Sequence, residues 1–255
     1  MRIAIKLGGS VITDKNSNKP KARKDAIERL INEVSLFPPP FILTHGAGSF
    51  GHPLVEEWNQ GRLKDFKKIH ESVEKLNRIV ARYCKKFNIS HDCYSPFEIM
   101  TYDNGFDLDK LWEHGKTTLE NKGVLITYGD IVTAKSRTRY NGFEVLSADV
   151  STCFLAQQWK ADKIIWVVDK DGVYNRNPEL DSSAKILKRI GDDYKAEFMT
   201  TKIDVTGGIQ EKIKQSQKVG IKAQIINGLV PENLKKAITD ESIGTLVLPQ
   251  LSSIR

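Results

Sequence analysis

Five short stretches of the sequence combine glycine with lysine, histidine or aspartate in ways that suit the binding of phosphate-like anions. In KLGGSVITDK, Gly8 and Gly9 follow a short apolar run, and Lys6 and Lys15 flank the turn. Glycine there lets the backbone turn tightly and expose its N–H groups, and a helix or turn starting at Ser10 aims more of them inward. In THGAGSFGHP, the run His45-Gly46-Ala47-Gly48 offers unhindered backbone donors that suit a tetrahedral anion. His52 stands beyond them, immediately before Pro53, where its ring can point back over whatever the loop holds. His45 is expected instead to be a partly buried histidine bonded to backbone. The third stretch is TYGDIV with the following LSADVSTCFLA, and the fourth, VVDKDGVYNRNP, is a polar, turn-rich loop suited to a ribose and base. The fifth, DVTGGIQEKI, sets Gly207 and Gly208 ahead of a helix with Lys212 one turn inside it. Each stretch alone has an ordinary alternative as a turn, a cap or a solvated lysine. Gly-Gly-Ser is neither a Walker A motif nor a GxGxxG fingerprint. Their succession at the ends of apolar runs is what gives them weight.

The elements that must position these loops can be read from periodicity. IAIKLG, PFILTHG, GVLITYGD, KIIWVVDKDGV, AQIING and GTLVLP predict strands. Ile27, Leu30, Ile31 and Val34 make a helical stripe, as do Ile69, Val73, Leu76 and Val80. ADVSTCFLAQQWK predicts a helix capped by Ser147 or Asp149, and GGIQEKIKQSQKVG one closed by Gly220. Apolar strands alternating with helices predict an α/β fold, a three-layer αβα sandwich with a largely parallel central sheet. Ligands of such sheets bind beyond the carboxyl ends of the strands, where the glycine loops fall. Residues 135–146, with an Asn141-Gly142 turn, are expected to form a hairpin attached to the main sheet.

Bulk properties narrow the class. The 255 residues are 40% apolar and 28% charged, ordinary for a globular protein. No apolar run approaches the roughly 20 residues that span a bilayer, and the N-terminus lacks a signal-peptide pattern, so a cytoplasmic protein without membrane partners is expected. Cys84, Cys93 and Cys153 form no CxxC pair and are expected to be small hydrophobes rather than metal ligands. The net charge of +7 comes from lysines dispersed on helical faces. No nucleic-acid motif accompanies them, and the positive field equally suits a polyphosphate-bearing small ligand.

Taken in order, KLGGSVITDK, HGAGSFGHP, GDIV, SAD, DKDGVYNRNP and DVTGGIQEKI resemble the amino acid kinase superfamily over essentially the whole chain. The resemblance implies one domain, with residues 1–145 as the acceptor and dimerisation part and 146–255 as the ATP-binding part. GAGSFGHP and IDVTGG are most similar to the branch that phosphorylates isopentenyl phosphate with ATP. A kinase for another small phosphate or phosphonate such as fosfomycin, or a non-catalytic nucleotide-binding member, are the alternatives.

On this resemblance Gly46 and Ala47 hold the acceptor phosphate, His52 hydrogen-bonds it, and Gly48 faces the ATP phosphates. Gly8, Gly9 and Ser10 form the phosphate loop. Lys6 and Lys212 contact ATP, and Lys15 stabilises the transferring phosphoryl group. Asp149 organises the lysines. Ala148 stands where many relatives have glycine. Asp169, Gly172, Tyr174 and Asn177 match the nucleotide loop, and Gly208 closes over the phosphates. Mg²⁺ carried by ATP and a homodimer are further implications. The helix bearing Ile69, His70 and Val73, with Ile131, is expected to line the slot for the C5 tail.

Overall fold

The computed structural model describes residues 1–14, 17, 19–136, 142–178, 180–191 and 208–250, so Lys15, Asn141 and Gly207 lie outside the described residues. In chain order the strands are β1 (Ile3–Leu7), β2 (Phe41–His45), β3 (His91–Cys93), β4 (Thr101–Tyr102), β5 (Val124–Tyr128) and β6 (Asp130–Ala134). They continue with β7 (Phe143–Leu146), β8 (Lys163–Val168), β9 (Arg189–Ile190), β10 (Ala223–Asn227) and β11 (Thr245–Val247). The helices are α1 (Gly9–Ile12), α2 (Lys24–Ser35), α3 (His52–Asn59), α4 (Lys67–Lys86) and α5 (Pro96–Ile99). Beyond these come α6 (Leu108–Glu120), α7 (Ala148–Gln158), α8 (Gly208–Lys218) and α9 (Asn233–Ile238). None of the described helices is long and apolar enough to cross a membrane.

Eight strands form one sheet in the order β3-β5-β2-β1-β8-β10-β11-β9. The described pairings are parallel except that of β10 with β11. Strands β1, β2, β5 and β8 are buried throughout, as their near-continuous apolar sequences require when helices cover both faces. Alternation decides which helix each side chain meets. Ile5, Leu7, Leu43, Ile126, Ile165 and Val167 pack toward α2, α4 and α9. Ala4, Ile42, Leu125, Ile164 and Trp166 pack toward α6, α7 and α8. Fully burying each such Val, Leu or Ile contributes about 1.5–3 kcal/mol.

The register fixes where the loops emerge. Leu7 lies opposite His45 on one side and Val167 on the other, so the turns after β1, β2 and β8 begin level. From β1 the chain passes to β2, then to β3 at the sheet edge, returns to β5 between them, and later crosses to β8 on the other side of β1, which makes β1 the point where strand order reverses. An α/β sheet opens its ligand crevice at such a point.

Some elements depart from the sequence expectation, among them the β6–β7 hairpin and helix α6. The hairpin of β6 and β7 belongs to a separate three-stranded sheet with β4 rather than to the main sheet. Gly129 alone separates β5 from β6, and its N–H is held by His45 O at 3.0 Å, so the chain swings off the main sheet immediately. Helix α6 was not expected, because Gly115 interrupts a good helix former. A Cβ at Gly115 would stand 2.3 Å from Leu125 Cδ1, and close helix-to-strand packing explains the glycine.

Candidate active site

A cleft of about 560 Å³ opens where β1, β2 and β8 end. Gly8, Gly9 and Ser10 line it from the first turn; Gly46, Ala47, Gly48 and His52 line it from the second. Gly129, Ala148, Asp149 and Asp169 add to the wall, and Gly208 with Lys212 closes it from α8. The two glycine turns touch. A Cβ on Gly9 would lie 2.6 Å from Gly48 N, and Gly48 has a φ of +50°, a conformation that favours glycine. Helix α1 and the 3-10 turn Gly48–Phe50 both begin here, and first-turn N–H groups lack an intrahelical partner. The Gly8 N–H is held by Val167 O and the Gly46 N–H by Leu7 O, so the two adjoining arrays of backbone donors start at Gly9 and at Ala47 rather than at the first glycine of each turn.

Charge is organised by one carboxylate. Asp149 Oδ2 accepts from Lys212 Nζ at 2.8 Å, and Lys6 Nζ stands 2.8 Å from Oδ1 as an ion pair. All three side chains are more than nine-tenths buried. Ser147 caps α7, its Oγ accepting the Asp149 N–H at 3.2 Å, which fixes the carboxylate at the helix start. Burial works against the charged carboxylate, but Lys6 and Lys212 outweigh it and hold Asp149 below the usual range. Burial, and then the Lys6 charge, lower Lys212. Lys212 is further fixed by Gly208 O at 2.9 Å and lies over the Trp166 ring at 5.8 Å. Two cations per carboxylate leave net positive charge beside the glycine turns.

The two histidines of the second loop have different surroundings. His45 is fully buried, stacks on Tyr128 at 5.3 Å and meets Gly46 O through Nδ1 and the Asn77 amide through Nε2. Burial lowers its pKa to about 4, so it is a neutral structural group. His52 opens α3 at the exposed rim of the cleft. Partial loss of water against the cleft wall, and then the Lys6 charge, lower the pKa of its ring below the ordinary value. Beside it the cleft becomes apolar, lined by Val55, Ile69, Val73, Ile131 and Val145. Trp58, Phe66 and Phe143 pack behind Ile69 and Ile131.

At this wall His70, expected on the slot helix, has a buried partner that its sequence position does not reveal. His70 Nδ1 meets Asp130 Oδ2 at 2.7 Å, and His70 stacks on Phe97 at 4.3 Å. Burial opposes the charged imidazole, but the Asp130 hydrogen bond and charge raise His70 overall. Asp130 is legible only as part of GDIV; its partner lies 60 residues earlier, on α4.

Not every residue of the sequence pattern reaches the cleft. Gly172, Tyr174 and Asn177 sit in the loop beyond β8, outside the lining formed by Asp169. The Tyr174 hydroxyl donates to Asp171 Oδ2 at 3.3 Å, and a Cβ at Gly172 would meet Thr245 Oγ1 at 2.7 Å. A second hollow, about 630 Å³, lies at the opposite end of the strands between Arg2, Trp112, Lys116 and Trp159. No glycine turn lines it among the described residues, and the chemistry belongs to the cleft at the strands' carboxyl ends.

The arrangement can hold two anions side by side and offset their repulsion. Among the described residues no three His, Cys, Asp or Glu side chains converge as metal ligands, and lysines take both Asp149 oxygens. This donor set suits a divalent ion carried by a bound nucleotide rather than one caged by protein.

Comparison with known proteins agrees with this geometry. The pattern of the Amino acid kinase family matches residues 1–227. An isopentenyl phosphate kinase of Methanothermobacter thermautotrophicus is 32% identical, over 94% of this chain and 96% of its own. One from Methanocaldococcus jannaschii is 29% identical, over 96% and 98%. A crystal structure of isopentenyl phosphate kinase superposes with a TM-score of 0.81 at 29% identity, covering 96% of this chain and 99% of the other.

Proposed function

The chain belongs to the amino acid kinase family, and from that premise we propose that it transfers the γ-phosphoryl group of ATP to isopentenyl phosphate, giving isopentenyl diphosphate and ADP. One observation carries the choice of acceptor. His52 rims a glycine turn that faces the Lys6–Asp149–Lys212 cluster on one side and an apolar slot on the other. A phosphate head fits the turn, and a short hydrocarbon tail fits the slot.

The acceptor explains what the residues need to do. A phosphate monoester has its second pKa near 6, so its attacking oxygen is already largely ionised at neutral pH. A strong general base is unnecessary. The obstacle is repulsion between the dianionic acceptor and ATP, which fixed cations and preorganised donors offset. Ala47 holds the acceptor phosphate through its backbone N–H, Gly46, whose own N–H is given to Leu7 O at 3.0 Å, lets the phosphate approach the backbone, and His52 donates to one of the phosphate oxygens. Ala148, at the start of α7, completes that side. Gly8, Gly9, Ser10, Gly48 and Gly208 cradle the ATP phosphates with Lys6 and Lys212. Lys15 is assigned to the transferring phosphoryl group. Asp149 positions the lysines and moves no proton. Asp169, with Gly172, Tyr174 and Asn177, is assigned to the ribose and base. Mg²⁺ bound to ATP oxygens and water would neutralise charge between the β- and γ-phosphates. The reading also includes a cytoplasmic homodimer, with residues 1–145 as the acceptor side and 146–255 as the nucleotide side.

A coupled ADP-release assay tests the proposal. Isopentenyl phosphate, dimethylallyl phosphate, fosfomycin, N-acetylglutamate and carbamate would be compared as acceptors. The expected result is highest kcat/KM for isopentenyl phosphate. Preference for a carboxylate or for fosfomycin would overturn the assignment.

A further inference from the structure

Thr13, at the end of α1, bridges the two glycine turns with a single hydroxyl. Its Oγ1–H donates to Gly9 O at 2.7 Å, and the same oxygen accepts the Ser49 N–H at 3.0 Å, from 36 residues away. Thr13 is completely buried. The turns it joins are in contact, since a Cβ on Gly48 would lie 2.1 Å from this hydroxyl and one on Gly46 would lie 3.0 Å from Gly9 N. Ser49 extends the tie, its Oγ accepting the Lys21 N–H at 3.2 Å.

A threonine that merely ended a short helix would use its hydroxyl on the carbonyl four residues back and stop there. The second bond, to a donor in the other turn, has no role in ending α1. Gly9 O is also satisfied by the Thr13 backbone N–H at 2.9 Å, so the hydroxyl is not needed to pair that carbonyl. Its specific contribution is to lock the separation of the two donor arrays. We infer that Thr13 is a positioning residue that sets the distance between the donor and acceptor phosphates. The inference rests on the assignment of one turn to ATP and the other to the acceptor. It follows from how steeply phosphoryl transfer depends on alignment, because displacements near 1 Å cost about 10²-fold in rate.

Thr13→Val keeps the shape and removes the hydroxyl, while Thr13→Ser keeps the hydroxyl and loses a methyl. Both would be compared with wild type in steady-state kinetics and in amide hydrogen exchange at Ser49. Thr13→Val is expected to lower kcat about tenfold or more, with KM for ATP changed less than about threefold, and to speed Ser49 exchange at least about tenfold. Thr13→Ser is expected to restore both readouts to within about threefold of wild type. A folded Thr13→Val enzyme with unchanged kcat or unchanged Ser49 exchange would overturn the inference. So would a Thr13→Ser enzyme as impaired as Thr13→Val. If wild type failed to phosphorylate isopentenyl phosphate, the substrate assignment would fall, and Ser49 exchange would still decide whether the hydroxyl holds the turns together.

Discussion

At the scale of single residues, the site divides into groups that touch anions and groups that hold those groups still. His52 belongs to the first kind. His52→Ala is expected to reduce kcat/KM for isopentenyl phosphate by about 10²-fold, with His52→Gln recovering part of it through its amide donor, as steady-state kinetics would show. Asp149 belongs to the second kind. Asp149→Asn removes the counter-charge from two buried ammonium groups; kcat is expected to fall at least about 10²-fold and the thermal midpoint to drop. Near-normal turnover would remove Asp149 from its organising role. His45 makes a prediction about pH instead. Its folded pKa, about 4, lies below the ordinary 6.5, so the unfolded chain binds more protons between those values. Stability should therefore fall as pH drops from 6.5 toward 4, by at most ~3 kcal/mol from this group. Denaturant titrations across that range should show a flatter slope for His45→Asn than for wild type. That Lys6, Gly8, Gly9, Gly46, Gly48 and Lys212 come together in one cleft was legible in the sequence, because close backbone approach and buried counter-charge restrict residue type strongly. Thr13 and the His70–Asp130 pair were not, because a threonine or histidine means little until its distant partner is known.

Among the elements, strongly periodic segments read correctly, while several short ones and the glycine-containing α6 did not. Helices α2 and α4 carry apolar stripes at three- and four-residue spacing, and each contains the whole of its expected stripe. Helix α9 has six residues and too little periodicity to be seen. Its stability comes from distant side chains. Glu33 on α2 accepts the N–H groups of Glu232, Leu234 and Lys235, each at 3.1 Å, and Lys163 on β8 donates to Ala237 O at 2.6 Å. A sequence window cannot show a cap supplied from about 200 residues away. Glu33→Gln weakens three charge-assisted bonds and the pairing with Arg29, and should cost about 1–3 kcal/mol in equilibrium denaturation. Loss well below that range would mean that packing alone holds α9. The hairpin of β6 and β7 shows a different limit: a hairpin was expected within residues 135–146, but its first strand is Asp130–Ala134, and its sheet was not legible because a single glycine set the change of direction.

Across the whole molecule, the parallel sheet brings loops that are far apart in sequence to one end and one level, and that geometry turns weak local motifs into a site. The order β2-β1-β8 sets the two glycine turns beside each other, while α7 and α8 supply the carboxylate and Lys212 that complete the positive wall. A net charge of +7 suits a protein that gathers polyanionic ligands, although the decisive charges are the few buried around Asp149. The central claim is that this cleft joins two phosphate-bearing molecules, with His52 at the acceptor. A crystal structure with isopentenyl phosphate and a non-hydrolysable ATP analogue tests it most directly. The account predicts an acceptor phosphate oxygen within about 3 Å of a His52 ring nitrogen, with the hydrocarbon tail against Ile69 and Ile131. An acceptor phosphate bound away from His52, with the tail outside that slot, would contradict it.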